Sequence, residues 1–224
     1  MPDIRQAELA RVYGNRFDAR REYRRQVWLV LVERFFQSFV PKGASVLDLG
    51  CGYGEFINAV AANKKWGMDL NPRSRENLAP DVTFLEQDCS MAWPVAEGEL
   101  DLVFSSNFFE HLADKTALGR TLEQVFRCLK PGGRIIAMGP NIKYTEGRYW
   151  DFWDHYLPLT ETSLGEGLTV RGFEIEQCLA RFLPYTMVGA REYPPWSVAL
   201  YLRLPWLWRW KGKQFLVIAR KPAA

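Results

Sequence analysis

The sequence predicts an α/β fold with a doubly wound, mostly parallel sheet and helices on both faces. Three observations carry this. β-type runs and helical patterns alternate from residue 44 to residue 140, which is the rhythm of βαβ units. The run at 100–105 is apolar nearly throughout, as expected of a strand covered on both sides. A glycine turn, Gly50-Cys51-Gly52-Tyr53-Gly54, follows the first run and opens into a helix.

In chain order, residues 18–40 read as a helix. Arg20, Arg21, Arg24 and Arg25 lead, an apolar stretch follows, and Pro41-Lys42-Gly43 ends it. The arginines read as a solvated face rather than an RNA site. Residues 44–49 form the first strand and 55–62 the helix after it. The second strand is 65–70, and Asn71-Pro72 starts another helix. The third and fourth strands are 82–85 and 100–105. Residues 115–129 are helical, with Leu118, Leu122, Val125, Phe126 and Leu129 at helical spacing. Lys130-Pro131-Gly132-Gly133 reads as a sharp turn before a fifth strand at 134–138. Beyond Gly139-Pro140 the rhythm changes. Residues 141–158 are aromatic and polar without a clean period, 160–168 form a helix opened by a Thr cap, and 173–179 and Gln214–Arg220 are two final strands. With no repeat or linker, one domain is expected over 1–224: a helical cap (1–43), a ligand-binding core (44–140) and two insertions (141–172 and 180–213).

Composition sets bounds. With 224 residues, 48% of them hydrophobic, the chain can bury the core of one α/β domain. A net charge of +3 is too weak to point to nucleic acid. Cys51, Cys89, Cys128 and Cys178 form no CxxC pair and match no zinc spacing, and scattered single cysteines suit a reducing compartment. The first residues lack the apolar run of a signal peptide. The run at 27–32 stops at Glu33-Arg34, well short of the roughly 20 residues a membrane span needs. The expected location is the cytoplasm.

The stretch VLDLGCGYGEF, residues 46–56, carries most of the chemistry. Its glycines let backbone approach a ligand closely, and the helix that follows offers free N–H groups. Asp48 lies two residues before the first glycine. A carboxylate there suits a cationic or amine-bearing ligand and repels a pyrophosphate. The spacing is G-x-G-x-G, not the G-x-G-x-x-G of dinucleotide sites. Asp69 ends the second strand, where an acid can take both ribose hydroxyls. The ligand expected is a ribonucleoside with an amino-acid tail. The alternative for Asp48 and Asp69 is turn or helix capping.

VLDLGCGYGEF resembles the first signature of the class I S-adenosylmethionine-dependent methyltransferases. Further segments are similar in order and spacing: GMDLNP, FLEQDCS, DLVFSSNFFEHL, LKPGGRIIAMGPN and the closing KQFLVIARK. The resemblance implies a Rossmann-like fold with an antiparallel last strand. It also implies S-adenosyl-L-methionine as methyl donor and S-adenosyl-L-homocysteine as product. Asp48, Gly50, Gly52 and Gly54, with Cys51 in the same loop, would surround the methionine portion. Asp69 would hold the ribose, with Leu70 beside the adenine. Asp88 would accept from the adenine amino group and Cys89 would offer its backbone N–H. Ser105, Ser106 and Asn107 would line the floor near the sulfonium. The Cys51 and Cys89 side chains read as small packing groups.

Methyl transfer to a hydroxyl is helped by a base. The two histidines, His111 and His155, follow expected strand ends, and Glu110 precedes the first. One histidine is the expected base, and the other reading for each is structural. Some metal-assisted O-methyltransferases carry ExxEH followed by a later His. This chain has Asn107-Phe108-Phe109-Glu110-His111 and then His155, with Asn107 in place of the first Glu. Losing that charge weakens a Mg²⁺ site, so the expectation is a metal-free reaction, with Glu110, His111 and His155 as the one candidate divalent-ion set.

Tyr144, Tyr149, Trp150 and Trp153 are candidates to stack on the substrate. Further along, Trp196, Leu200, Leu204, Trp206 and Trp210 alternate with Arg203, Arg209 and Lys211, a mix that suits a membrane interface, a dimer face or core. A small or lipid-linked acceptor is expected: a sugar, a quinone precursor or a natural product. Peripheral contact with the inner membrane face goes with it, and the oligomeric state stays open. The rival readings are N- or C-methylation on the same fold, a non-catalytic nucleotide-binding module, and a nicotinamide oxidoreductase, the last disfavoured by Asp48 and the glycine spacing.

Overall fold

The computed structural model describes residues 20–185 and 192–223. Parts of the expected cap (1–19) and of the second insertion (186–191), and Ala224, lie outside the described residues.

Seven strands form one sheet: β1 (Ser45–Leu49), β2 (Lys64–Asp69), β3 (Val82–Glu86), β4 (Leu100–Ser106), β5 (Leu129–Pro140), β6 (Glu174–Leu179) and β7 (Gln214–Arg220). Their order is β3-β2-β1-β4-β5-β7-β6. The first five are parallel, and β7 runs antiparallel to both β5 and β6. The winding direction reverses between β1 and β4. Ligands of such sheets sit at the carboxyl ends of the strands flanking that point.

Strand alternation splits the core in two. From β1, Leu47 and Leu49 enter one cluster and Val46 the other; from β7, Val217 and Ala219 oppose Leu216 and Ile218. The first cluster is closed by α3 (Lys115–Cys128) and α5 (Glu161–Thr169). The second lies under α1 (Arg21–Arg34), α2 (Glu55–Ala59) and α6 (Pro195–Leu202), with Trp208 of α7 (Pro205–Lys211) packed against it. α4 is one short turn, Ile142–Thr145. α5 is opened by a capping box between Thr160 and Ser163, as the Thr cap predicted.

Several elements differ from the sequence expectation. The helix over 18–40 breaks at Phe35 (φ −137°, ψ −64°) into a 3₁₀ turn, Phe36–Phe39. The break sends adjacent rings to different neighbours: Phe35 meets Phe182 at 4.8 Å and Phe36 meets Phe104 at 5.0 Å. α2 stops at Ala59 rather than 62, because the Gln37 amide takes both the N–H (2.9 Å) and the C=O (3.1 Å) of Ala61. After Asn71, whose side chain caps Arg73 N–H, the chain makes only a 3₁₀ turn, Pro72–Asn77. No helix crosses between β3 and β4. Lys130–Gly133 is not a turn between elements but a bulge inside β5. Leu100 pairs with Leu129 and Leu102 with Arg134, so four residues oppose Asp101 alone. Asp101 holds the bulge through Lys130 (2.7 Å), and the Lys221 backbone pairs with Gly132 N–H and Gly133 C=O.

Candidate active site

The β1–α2 turn is shaped by left-handed glycines, with φ of +72° at Gly50, +49° at Gly52 and +72° at Gly54. A Cβ on Gly50 would lie 2.2 Å from Cγ of Phe108, so no other residue fits there. Gly50 and Cys51 N–H groups both donate to Met68 C=O (2.9 and 3.0 Å), folding the loop back over β2. Asp69 ties it down: one carboxylate oxygen accepts from Gly52 N–H and the other from Asn71 N–H, both at 2.8 Å. Asp69 is therefore a turn cap, as the alternative reading had it. Ser74 and the Leu70 N–H also bond this carboxylate. Leu70 is half-buried beside it.

Three carboxylates gather at this loop. Burial, with a further push from Glu55 and Asp69, holds the Asp48 carboxyl well above its ordinary range, and the Ile57 N–H only partly offsets this. Burial also raises Asp69 and Glu55. Glu55 has a partner, Arg24 of α1. The Arg21 and Arg24 guanidiniums lie 5.8 and 5.5 Å from the Tyr53 ring, so α1 covers the glycine loop. A cluster with more buried acid than base suits a cation and disfavours a pyrophosphate. Cys51 is buried, with its thiol pushed far up by burial, which is the behaviour of a packing group.

The remaining cofactor candidates frame the same end of the sheet. Asp88 is exposed, and one of its oxygens accepts from Ser90 N–H and Oγ at 2.8 Å each. Cys89 is buried, accepts from Thr121 Oγ1 at 3.3 Å, and has its thiol pushed up to about 12 by burial. Ser105 Oγ donates to Leu49 C=O across β1 and β4 (3.0 Å). Asn107 takes a left-handed conformation (φ +50°), gives its N–H to Met138 C=O, and bonds Ser106 Oγ through Nδ2. Its buried Oδ1 has no partner among the described residues.

Glu110, His111 and His155 come together: one ligand-capable atom from each lies within 4.8 Å of the others. The His111 Nδ1 lies 2.8 Å from Asp154 C=O and 3.3 Å from its carboxylate. A carbonyl only accepts, so Nδ1 carries the hydrogen and Nε2 the lone pair. The His155 ring stacks on Phe152 (4.8 Å, 26°), leans on Tyr149 (4.7 Å) and meets His111 edge-on (5.0 Å). Glu110 is buried, and this pushes its carboxyl up to about 7 against the pull of His111. Its C=O accepts from Tyr156 and Leu157 N–H (2.8 and 3.0 Å), which fastens the later segment to the earlier one.

The four aromatic candidates separate. Tyr149 is wholly buried, donates its hydroxyl to Leu157 C=O at 2.6 Å and packs beside His155. Tyr144 is half-buried, 4.6 Å under the Arg181 guanidinium. Trp150 and Trp153 are exposed, Trp153 by 81%. Sequence reasoning gave no role to Arg24, Glu55, Phe108 or Asp154. Glu55 and Phe108 stood inside the quoted motifs and were readable there. Arg24 and Asp154 act across the fold and left no local signal.

Comparisons with known proteins agree with this geometry. The methyltransferase domain family matches residues 20–178. The chain is 30% identical over 123 residues to 2-methyl-6-phytyl-1,4-hydroquinone methyltransferase of Synechocystis sp., covering 51% of this chain and 38% of that protein. It is 27% identical over 150 residues to demethylmenaquinone methyltransferase of Symbiobacterium thermophilum, covering 58% and 59%. The matches thus span less than two thirds of each relative's own length. Among solved structures, a chain of the complex between the Haloferax volcanii Trm112 methyltransferase activator and a methyltransferase superposes with a TM-score of 0.66. It shares 21% identity, with 89% of this chain and 91% of that one covered, which speaks to the fold. The match over residues 20–178, more than half of its length, places this chain in the methyltransferase domain family, and its sheet order and glycine loop agree with that.

Proposed function

We propose that this chain transfers the methyl group of S-adenosyl-L-methionine to a hydroxyl-bearing small or lipid-linked metabolite, with His111 as the base. The observation that carries this reading is the fixed tautomer of His111: Nδ1–H is spent on Asp154 C=O, which leaves Nε2 as acceptor beside the carboxyl end of β4. The acidic glycine loop supports the donor half, because Asp48, Glu55 and Asp69 suit an ammonium and a sulfonium. As the acceptor oxygen attacks the methyl carbon, its proton goes to Nε2. The C–S bonding pair returns to sulfur, which leaves S-adenosyl-L-homocysteine as a neutral thioether. Alignment and exclusion of water do the rest.

Two imidazoles and one carboxylate also fit a divalent ion by donor type. Glu110, His111 and His155 would hold it, and it would acidify the acceptor hydroxyl as a Lewis acid. That set suits Zn²⁺, Mn²⁺ or Fe²⁺ better than Mg²⁺, which prefers more oxygen anions. The reaction proposed here is metal-free.

A second reading, methylation at carbon, draws support from two relatives whose names carry quinol- or quinone-type substrates. Removing a phenolic proton makes both the oxygen and the ring carbons nucleophilic, so the same base serves either outcome. The test is a labelled-methyl assay on a panel of hydroquinones, catechols and sugars, with the product position read by NMR. O-methylation that survives chelation, and falls on the order of 10³-fold in His111→Ala while donor affinity is kept, is expected. Amine products, or full activity in the variant, would overturn the assignment.

A further inference from the structure

We propose that α6 and α7 form a docking face for an anionic lipid bilayer. The segment from Tyr193 to Lys213 contains Arg203, Arg209, Lys211 and Lys213 and no acid at all. Its two short helices each place an i, i+4 pair of large apolar side chains outward. On α6 these are Trp196 and Leu200, exposed by 68% and 50%. On α7 they are Trp206 and Trp210, exposed by 59% and 78%. This is not a core that failed to close. Trp208, between the outward pair, points inward, packs on Phe182 at 5.0 Å and on Phe35 at 6.1 Å, and donates Nε1–H to Tyr201 C=O at 2.9 Å. Leu202 is likewise buried. The helices are therefore anchored through one side and leave indoles on the other.

Charge decides the occupant. Arg203, Arg209 and Lys211 are exposed, and none pairs with an acid among the described residues. Tryptophan with arginine and lysine, without carboxylates, is the composition that settles at the headgroup level of a bilayer with negative lipids. A second copy of this chain would bring the same cations against these, with no acid on the patch to meet them. No helix among the described residues is long and apolar enough to cross a membrane, so the contact is peripheral. The face is also joined to the cofactor loop. Tyr193 N–H donates to Tyr23 Oη at 3.1 Å, Arg20 pairs with Glu192 at 3.3 Å, and α1 carries Arg24 to Glu55.

The test uses the full chain with vesicles of phosphatidylcholine alone and of phosphatidylcholine mixed with phosphatidylglycerol. The chain should float with the mixed vesicles and not with the neutral ones, and it should release as salt rises. The triple variant Arg203→Gln, Arg209→Gln, Lys211→Gln should bind on the order of 100-fold more weakly. Trp206→Ser with Trp210→Ser should lose the blue shift in tryptophan emission that the parent shows on binding. All of these side chains are exposed, and an unchanged thermal melt confirms that the variants fold. Equal binding to both vesicles, or none, overturns the proposal. So does a dimer in sedimentation equilibrium that the tryptophan variant converts to monomer. The inference stands apart from the methyl assay on soluble acceptors, which reads the active site and not this face.

Discussion

The two sides proposed for the active site, a cofactor side and an acceptor side, are built differently. The cofactor side is one contiguous loop whose polar groups are tied to backbone: Gly50 and Cys51 to Met68, Gly52 and Asn71 to Asp69. The acceptor side is assembled from two segments more than forty residues apart in sequence, joined through His111 with Asp154 and Glu110 with Tyr156. The first combines left-handed glycines with ties to the end of β2, and the second rests on contacts between distant segments. A loop that must hold a constant ligand can be written in eleven consecutive residues, whereas a variable acceptor needs parts that change independently.

Gly50→Ala should separate the two sides most sharply. The new methyl meets Phe108 in a backbone conformation that disfavours it, so a stability loss of about 3 kcal/mol and loss of donor binding are expected by thermal melt and calorimetry. Adding Phe108→Ala should return part of the stability, because only the clash is relieved and the strain at φ +72° stays. Full recovery in the double variant would show that the conformation costs nothing.

Asp48→Asn should have a smaller, pH-dependent effect. Burial first, then Glu55, raises the folded carboxyl above its ordinary value. Such an acid favours the folded state only while it is protonated. Its stability cost is absent near pH about 4 and grows as pH rises toward the folded value. The free variant should therefore melt above the parent at pH 8, with the gap closing as pH falls. Saturating S-adenosyl-L-methionine should reverse the order, since the variant binds it on the order of tenfold more weakly. A pH-independent gap would mean that the Asp48 carboxyl ionises at the same pH in the folded and the unfolded chain.

On the acceptor side Tyr149→Phe should have the smallest effect. It removes the hydroxyl bond to Leu157 and leaves a buried carbonyl unpaired, for about 1 kcal/mol of stability. KM for the acceptor should hold. A large KM change would return Tyr149 to the substrate surface.

The difference also explains what the sequence disclosed. Strands covered on both faces are apolar runs, and β1 and β4 stood out as such. The glycine loop announced itself because its parts are neighbours in sequence. The bulge at Lys130–Gly133 was hidden, since Pro-Gly-Gly has the composition of a turn and only the pairing of Leu129 and Arg134 shows that the ladder continues. The break at Phe35 was hidden because adjacent rings obtain their separate neighbours only in three dimensions. Arg24 read as solvated because its partner, Glu55, is brought to it by the fold. Tyr149 read as a stacking residue, but the same composition serves burial equally well.

The pair of amide bonds onto the Glu110 carbonyl has a further consequence. They stitch the segment that carries His155 to the one that carries His111, while Trp150 and Trp153 are exposed outside the stitch. Trp150 still meets Tyr149 edge-on at 4.9 Å, and Tyr149 leans on His155, so Trp153 is the freer of the two to exchange. On the function proposed above, substitutions at Trp153 would then change which acceptor is met and leave the base where it is.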